Sequence, residues 1–133
     1  MKRIEHIGIA VSDFSKANGL FYQLLGCEPY KTEVVASEKV STSFFRVGES
    51  KIELLEALDE DSPVAKYLEK NGPGIHHIGF EVSDILAEMP RLKKEGFRLL
   101  SDVPKKGADN KLVCFVHPKS ANGVLIELCQ EIR

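Results

Sequence analysis

Two histidines and two glutamates stand out in the 133-residue chain, because each interrupts an apolar run at a place that recurs in the other half. His6 lies in Ile4-Glu5-His6-Ile7-Gly8-Ile9-Ala10-Val11-Ser12-Asp13, which aligns without a gap on Ile75-His76-His77-Ile78-Gly79-Phe80-Glu81-Val82-Ser83-Asp84. His6 and His77 are thus one position of a repeat. Glu53 and Glu127 are another, since Lys51-Ile52-Glu53-Leu54 matches Leu125-Ile126-Glu127-Leu128. A carboxylate among leucines, isoleucines and valines is expensive to bury alone and asks for a cation or a strong donor. Taken singly, a satisfied strand histidine or a solvent-facing glutamate is the ordinary reading of each residue. Taken together, two imidazoles and two carboxylates at matched positions can converge on a pseudo-two-fold axis. That N2O2 set suits a divalent Co, Mn, Ni, Zn or Mg ion, with positions left open for water or substrate.

Such a set needs strands to aim it. Alternate residues of a strand share a face, so His6 goes with Gly8 and His77 with Gly79, each glycine leaving room beside its imidazole, while His76 points the other way. Each first strand runs into cap-type residues, Ser12-Asp13 and Ser83-Asp84. An amphipathic stretch follows, Phe14 to Leu25 before Gly26 and Ile85 to Glu95 before Gly96. Then come β-branched and aromatic runs at 30–36, 40–47 and 51–56 in the first copy, and at 97–100, 111–116 and 124–128 in the second. Gly48-Glu49-Ser50, a loop over 104–110 and Pro118 to Gly123 separate them. The repeating unit is βαβββ. Between the copies, Asp61-Ser62-Pro63 opens a short helix through Lys70, and Asn71-Gly72-Pro73-Gly74 closes it. The pattern predicts an α+β fold in which two tandem βαβββ modules (about 1–58 and 74–131) and a connector helix (about 61–72) form one domain over 1–133. The modules are expected to pair into a curved mixed sheet around a central metal-binding cleft.

Composition narrows the function further. Eighteen Lys+Arg against twenty Asp+Glu leave a formal charge of -2, with no basic excess for a phosphate backbone, so nucleic acid is not an expected partner. Apolar residues make up 43% of the chain, yet charge interrupts every long apolar stretch, so no membrane span is expected. Cys27, Cys114 and Cys129 are odd in number and lack a C-x-x-C spacing, and Met1-Lys2-Arg3 leads straight into strand-like sequence. A cytoplasmic protein with reduced, structural thiols is the expectation.

Several stretches carry a resemblance: Glu5 to Val11, Lys51 to Glu56, Asp61-Ser62-Pro63-Val64-Ala65-Lys66-Tyr67-Leu68, Gly74-Ile75-His76-His77-Ile78, and His117-Pro118-Lys119-Ser120 leading to Gly123-Val124-Leu125-Ile126-Glu127-Leu128. On these residues the chain resembles the vicinal oxygen chelate superfamily and, within it, the methylmalonyl-CoA epimerases. The first stretch is common across the superfamily, whereas the Asp-Ser-Pro connector and the run from His117 to Leu128 are much more specific to the epimerases.

The resemblance implies interconversion of (2R)- and (2S)-methylmalonyl-CoA by metal-assisted removal of the C2 proton, with His6, Glu53, His77 and Glu127 as ligands to one divalent ion. It implies a homodimer as well. Some relatives carry Gln where Glu53 stands, so Glu53→Gln is expected to be mild. Inversion needs an acid/base group on each face of C2. Glu127 is the leading base for one face. Several epimerases carry a second base, a glutamate, where this chain has Thr42, so metal-bound water or Glu53 is left for the other. Lys106 and Lys119, with Lys105 and Lys111, are candidates to meet the phosphates of the CoA tail. His117 is expected to cap or pack its own turn. Two other readings stay open: a glyoxalase I-type isomerase, for which no glutathione feature is visible, and a metal-free drug-sequestering protein, against which the repeated His and Glu set argues.

Overall fold

The computed structural model describes residues 1–132. Three α-helices and eight strands among them give an α+β fold built from two βαβββ modules. The chain divides into two compact units, one of residues 6–76 and the other of residues 1–5 with 77–132. Strand β1 (Arg3–Ala10) begins in the second of these and ends in the first.

In the first unit, α1 (Phe14–Leu25) starts where the Asp13 carboxylate accepts the Lys16 N–H at 3.0 Å. It stops at Gly26, whose φ of 72° is the left-handed conformation that glycine adopts without strain. Phe14, Ala17, Phe21 and Leu25 recur at helical spacing and pack on Ile9, Val11, Phe45, Ile52 and Leu54. Beneath the helix lie β2 (Lys31–Val35), β3 (Val40–Val47) and β4 (Ser50–Ala57), in the order β2-β3-β4-β1. β4 runs antiparallel to β3 and parallel to β1, with Gly8 opposite Glu53 on one side and Phe44 opposite it on the other. The connector is α2 (Pro63–Asn71), capped by the Ser62 hydroxyl on the Val64 N–H and opened by Pro63.

The second unit repeats the plan with β5 (Gly74–Glu81), α3 (Ile85–Lys94), β6 (Lys105–Lys106), β7 (Lys111–Val116) and β8 (Ile126–Glu131), its strands ordered β5-β8-β7-β6. Ile85, Met89 and Leu92 of α3 pack on Val82, Cys114, Val116 and Leu128. Pro90, absent from the expected helix signals, lies inside α3 at an exposed position.

Two expected strands differ. The run 97–100 makes only an isolated bridge at Leu99, because after Leu100 the chain turns at Ser101, whose hydroxyl donates to the Val103 carbonyl, and Pro104 has no N–H to offer a ladder. Pairing resumes at Lys105 and Lys106, inside the segment expected to be loop. The expected strand over 124–128 begins at Ile126 instead, since the Val124 N–H is taken by the Ala121 carbonyl of the preceding turn.

Candidate functional site

Directly opposed residues of paired strands share a face. In the first unit, β1 therefore contributes His6, Gly8 and Ala10 to the face turned away from α1, β4 contributes Lys51, Glu53 and Leu55, and β3 contributes Thr42 and Phe44. His6 and Glu53 are buried, and Nδ1 of the imidazole lies 3.4 Å from Oε2 of the carboxylate. Lys51 is only 3% exposed. Its ammonium stands 3.8 Å from the same Oε2 and 5.7 Å from the centre of the Phe44 ring.

In the second unit, β5 contributes His77, Gly79 and Glu81, β8 contributes Glu127 and Cys129, and β7 contributes Phe115. His77 Nε2 lies 3.0 Å from Glu127 Oε1, both residues are buried, and the Phe115 ring meets the imidazole edge-on at 5.9 Å. The local pattern is that of the first unit, with the glutamate flanked across the ladder by a glycine and a phenylalanine, Gly79 and Phe115 here and Gly8 and Phe44 there. The glycine adds no side chain beside the carboxylate, and the phenylalanine adds an apolar ring on its other side.

The donor sets fit a divalent ion. Imidazole nitrogen and carboxylate oxygen suit a borderline or hard cation, and two ligands each about 2.1 Å from one ion lie about 3.0 Å apart at a right angle and about 3.4 Å apart at a tetrahedral angle. The two observed His–Glu separations, 3.0 and 3.4 Å, have those values.

Other expected residues fall as follows. Thr42 is buried on the same face as Phe44, opposite Leu55 on β4 and Glu33 on β2. His76 lies off this face and meets the Tyr67 ring edge-on at 5.1 Å. His117 caps its own turn, its Nδ1 accepting the Lys119 N–H at 3.0 Å. Lys106 is exposed on the short strand β6, Lys119 is exposed in that turn, and all three cysteines are free thiols. Beside the second pair, Arg3 and Lys2 grip Glu81 at 3.0 and 3.4 Å. The Arg3 hydrogen bond holds the Glu81 carboxyl below the ordinary carboxylate value.

Lys51 and the two phenylalanines escaped the reading of the sequence. The signal for the phenylalanines was the repeat offset of the histidines, which also relates Phe44 to Phe115. The signal for Lys51 was its place two residues before Glu53 on the same strand face, where the second copy has Leu125.

Comparison with known proteins adds independent findings. Residues 5–115 match the model of the Glyoxalase/Bleomycin resistance protein/Dioxygenase superfamily. The chain is 46% identical over 130 residues to an ethylmalonyl-CoA/methylmalonyl-CoA epimerase of Cereibacter sphaeroides, covering 96% of this chain and 97% of that one. It is similar to the solved structure of a variant methylmalonyl-CoA epimerase of Streptomyces coelicolor in complex with 2-nitronate-propionyl-CoA. There the identity is 36%, the match covers 100% of this chain and 99% of that chain, and the TM-score is 0.96. A methylmalonyl-CoA epimerase in complex with methylmalonyl-CoA and NH4+ matches at 36% identity and a TM-score of 0.95, over 98% of this chain and 95% of that chain.

Proposed function

The chain belongs to the Glyoxalase/Bleomycin resistance protein/Dioxygenase superfamily, and from that membership and its epimerase relatives we infer that it is an isomerase, a methylmalonyl-CoA epimerase interconverting the (2R) and (2S) forms. The observation that carries the reading is the duplicated pair of buried, mutually facing histidine and glutamate side chains, His6 with Glu53 and His77 with Glu127. Enzymes of this superfamily commonly use a divalent metal, and both pairs supply donors of the right chemistry.

In this reading His6, Glu53, His77 and Glu127 hold one divalent ion. When bound, the ion supplies a full positive charge against the oxyanion that develops when C2, between a thioester carbonyl and a free carboxylate, is deprotonated. The chain's own groups move the proton. Glu127 takes it from one face of C2, its carboxylate lying on a strand whose neighbour Gly79 has no side chain to obstruct approach. Glu53, the ligand-type carboxylate of the other module, serves the opposite face, since Thr42 has no titratable group to do so. Exposed Lys106 and Lys119 carry positive charge suited to the CoA phosphates. We assign the protein to the cytoplasm as a homodimer, in keeping with the absence, among the described residues, of any helix long and apolar enough to cross a membrane, and with open sheet edges that invite pairing.

The test is metal analysis of the purified protein, followed by proton exchange at C2 of methylmalonyl-CoA in deuterated water. Stoichiometric divalent metal and metal-dependent exchange with inversion are expected. Full activity after complete metal removal would overturn the ligand assignment, and lack of any C2 exchange would overturn the reaction.

A further inference from the structure

The two halves of the site differ in the residue opposite the histidine. Opposite His6 on the ladder stands Lys51, whereas the repeat-equivalent residue of the second module is Leu125. A lysine is rarely buried without a partner of opposite charge. Lys51 is 3% exposed, and its ammonium reaches the Glu53 carboxylate at 3.8 Å with the Phe44 ring 5.7 Å away. A carboxylate and a π face thus both stand beside the desolvated ammonium.

We propose that Lys51 is a positioning residue that acts with Glu53 as one unit of zero net charge, so that this half of the site offers an ion a carboxylate oxygen without an added negative charge. The inference rests on the reading of His6 and Glu53 as metal ligands. Its consequence is electrostatic. With Lys51 in place, the ligand set carries the net charge of Glu127 alone, and the ion keeps more of its own charge for the oxyanion that forms on substrate. Without Lys51, two uncompensated carboxylates bind the ion more tightly and leave it a weaker electrophile. The ammonium and the imidazole both stand within 4 Å of the same carboxylate oxygen, Oε2 of Glu53, which restricts the rotamers it samples.

Four variants and a control test this, read by Co2+ titration of the metal-stripped protein, by urea unfolding of the same protein and by kcat with the metal saturated. Lys51→Met is expected to bind Co2+ on the order of tenfold tighter, with kcat lowered on the order of tenfold. Damage to packing alone would weaken Co2+ binding instead. Glu53→Gln alone leaves a buried ammonium beside the ion, and its Co2+ affinity and urea midpoint are both expected to fall. Lys51→Met/Glu53→Gln is expected to recover most of both losses, and Lys51→Arg to stay near wild type in Co2+ affinity. His77→Ala is the control for the ligand reading and loses tight Co2+ binding. Normal Co2+ uptake by the wild type, combined with a double variant whose Co2+ affinity and urea midpoint stay as low as those of Glu53→Gln, or with unchanged Co2+ affinity in Lys51→Met, would overturn the role of Lys51 alone. Failure of the wild type to take up Co2+ would overturn the ligand reading and this inference with it.

Discussion

Replacing Glu127 by glutamine changes a carboxylate into an amide of nearly the same size at a position whose surroundings are well defined. The residue is 9% exposed, its Oε1 lies 3.0 Å from His77 Nε2, and Gly79 and Phe115 bracket it on the neighbouring strands. None of these contacts is lost for steric reasons. The amide keeps one oxygen for a cation but cannot accept a proton from carbon. General-base catalysis is typically worth about 10²–10⁴-fold, which corresponds to roughly 2.7–5.5 kcal/mol of barrier at about 1.36 kcal/mol per decade. With the divalent ion at saturation, so that weakened ligation is offset, Glu127→Gln is expected to lose that much turnover with near-wild-type unfolding behaviour. The assay is proton NMR of methylmalonyl-CoA in deuterated water, starting from each epimer separately. Loss of one base of two predicts an asymmetry in which the C2 proton of one epimer still washes out while inversion fails. Turnover within about fivefold of wild type, or equal loss of exchange from both epimers, would refute the assignment of Glu127 as a base and confine it to ligation.

Other outcomes follow from the same structure. His6→Ala and His77→Ala should each abolish tight divalent binding in equilibrium dialysis, whereas His76→Ala, which loses only its edge-on contact with Tyr67, should retain the metal and most activity. Arg3→Met should lower stability at neutral pH by about 0.5–1 kcal/mol, the range of a partly exposed ion pair. Because the Glu81 carboxyl is held below its ordinary value of 4.5, that contribution is complete above pH 4.5 and disappears as the pH falls through the lowered value, so the two urea midpoints should converge in acid. Equal differences at pH 7 and pH 3 would refute the linkage. Ile85→Ala, which empties a fully buried place between α3 and β8, should cost about 2–5 kcal/mol in chemical denaturation and leave metal affinity per folded molecule unchanged.

Most of the fold was legible because the repeat shows each element twice. The helices announced themselves through Asp13 and Asp84 as caps and through apolar positions at helical spacing, and the connector through Ser62-Pro63. The misread parts depend on hydrogen bonds that local pattern does not encode. Residues 97–100 have the β-branched and apolar character of a strand, yet a side-chain bond from Ser101 and the missing N–H of Pro104 divide the pairing between Leu99 and Lys105–Lys106. In the site, alternation alone put each histidine on the glycine side of its strand, but register was needed to bring Glu53 to Gly8 and Glu127 to Gly79. Lys51 was invisible for a different reason. A lysine in a strand reads as a solvated side chain, and only the packed structure reveals an ammonium with a carboxylate and an aromatic face around it. The role proposed for Lys51 sets one expectation against another, since Glu53→Gln reads as mild by analogy with relatives but here removes the carboxylate beside a buried ammonium.

The two hairpins reach the same cross-strand pair by different lengths of chain: Glu53 follows Phe44 by nine residues, and Glu127 follows Phe115 by twelve. The three additional residues are absorbed outside the ladder, in the turn that contains His117 and Ala121. Lengthening that turn is therefore neutral with respect to where the carboxylate points. Inside β4 the rule is one of parity. A single residue inserted between Ser50 and Glu53 would send the carboxylate to the α1 side, among Val11, Phe45 and Leu54, and bring an isoleucine into its place, whereas inserting two would restore the facing. Drift by insertion and deletion can thus remodel the rim of this protein freely, but it meets an even-or-odd filter in the strands that carry the four ligand-type side chains.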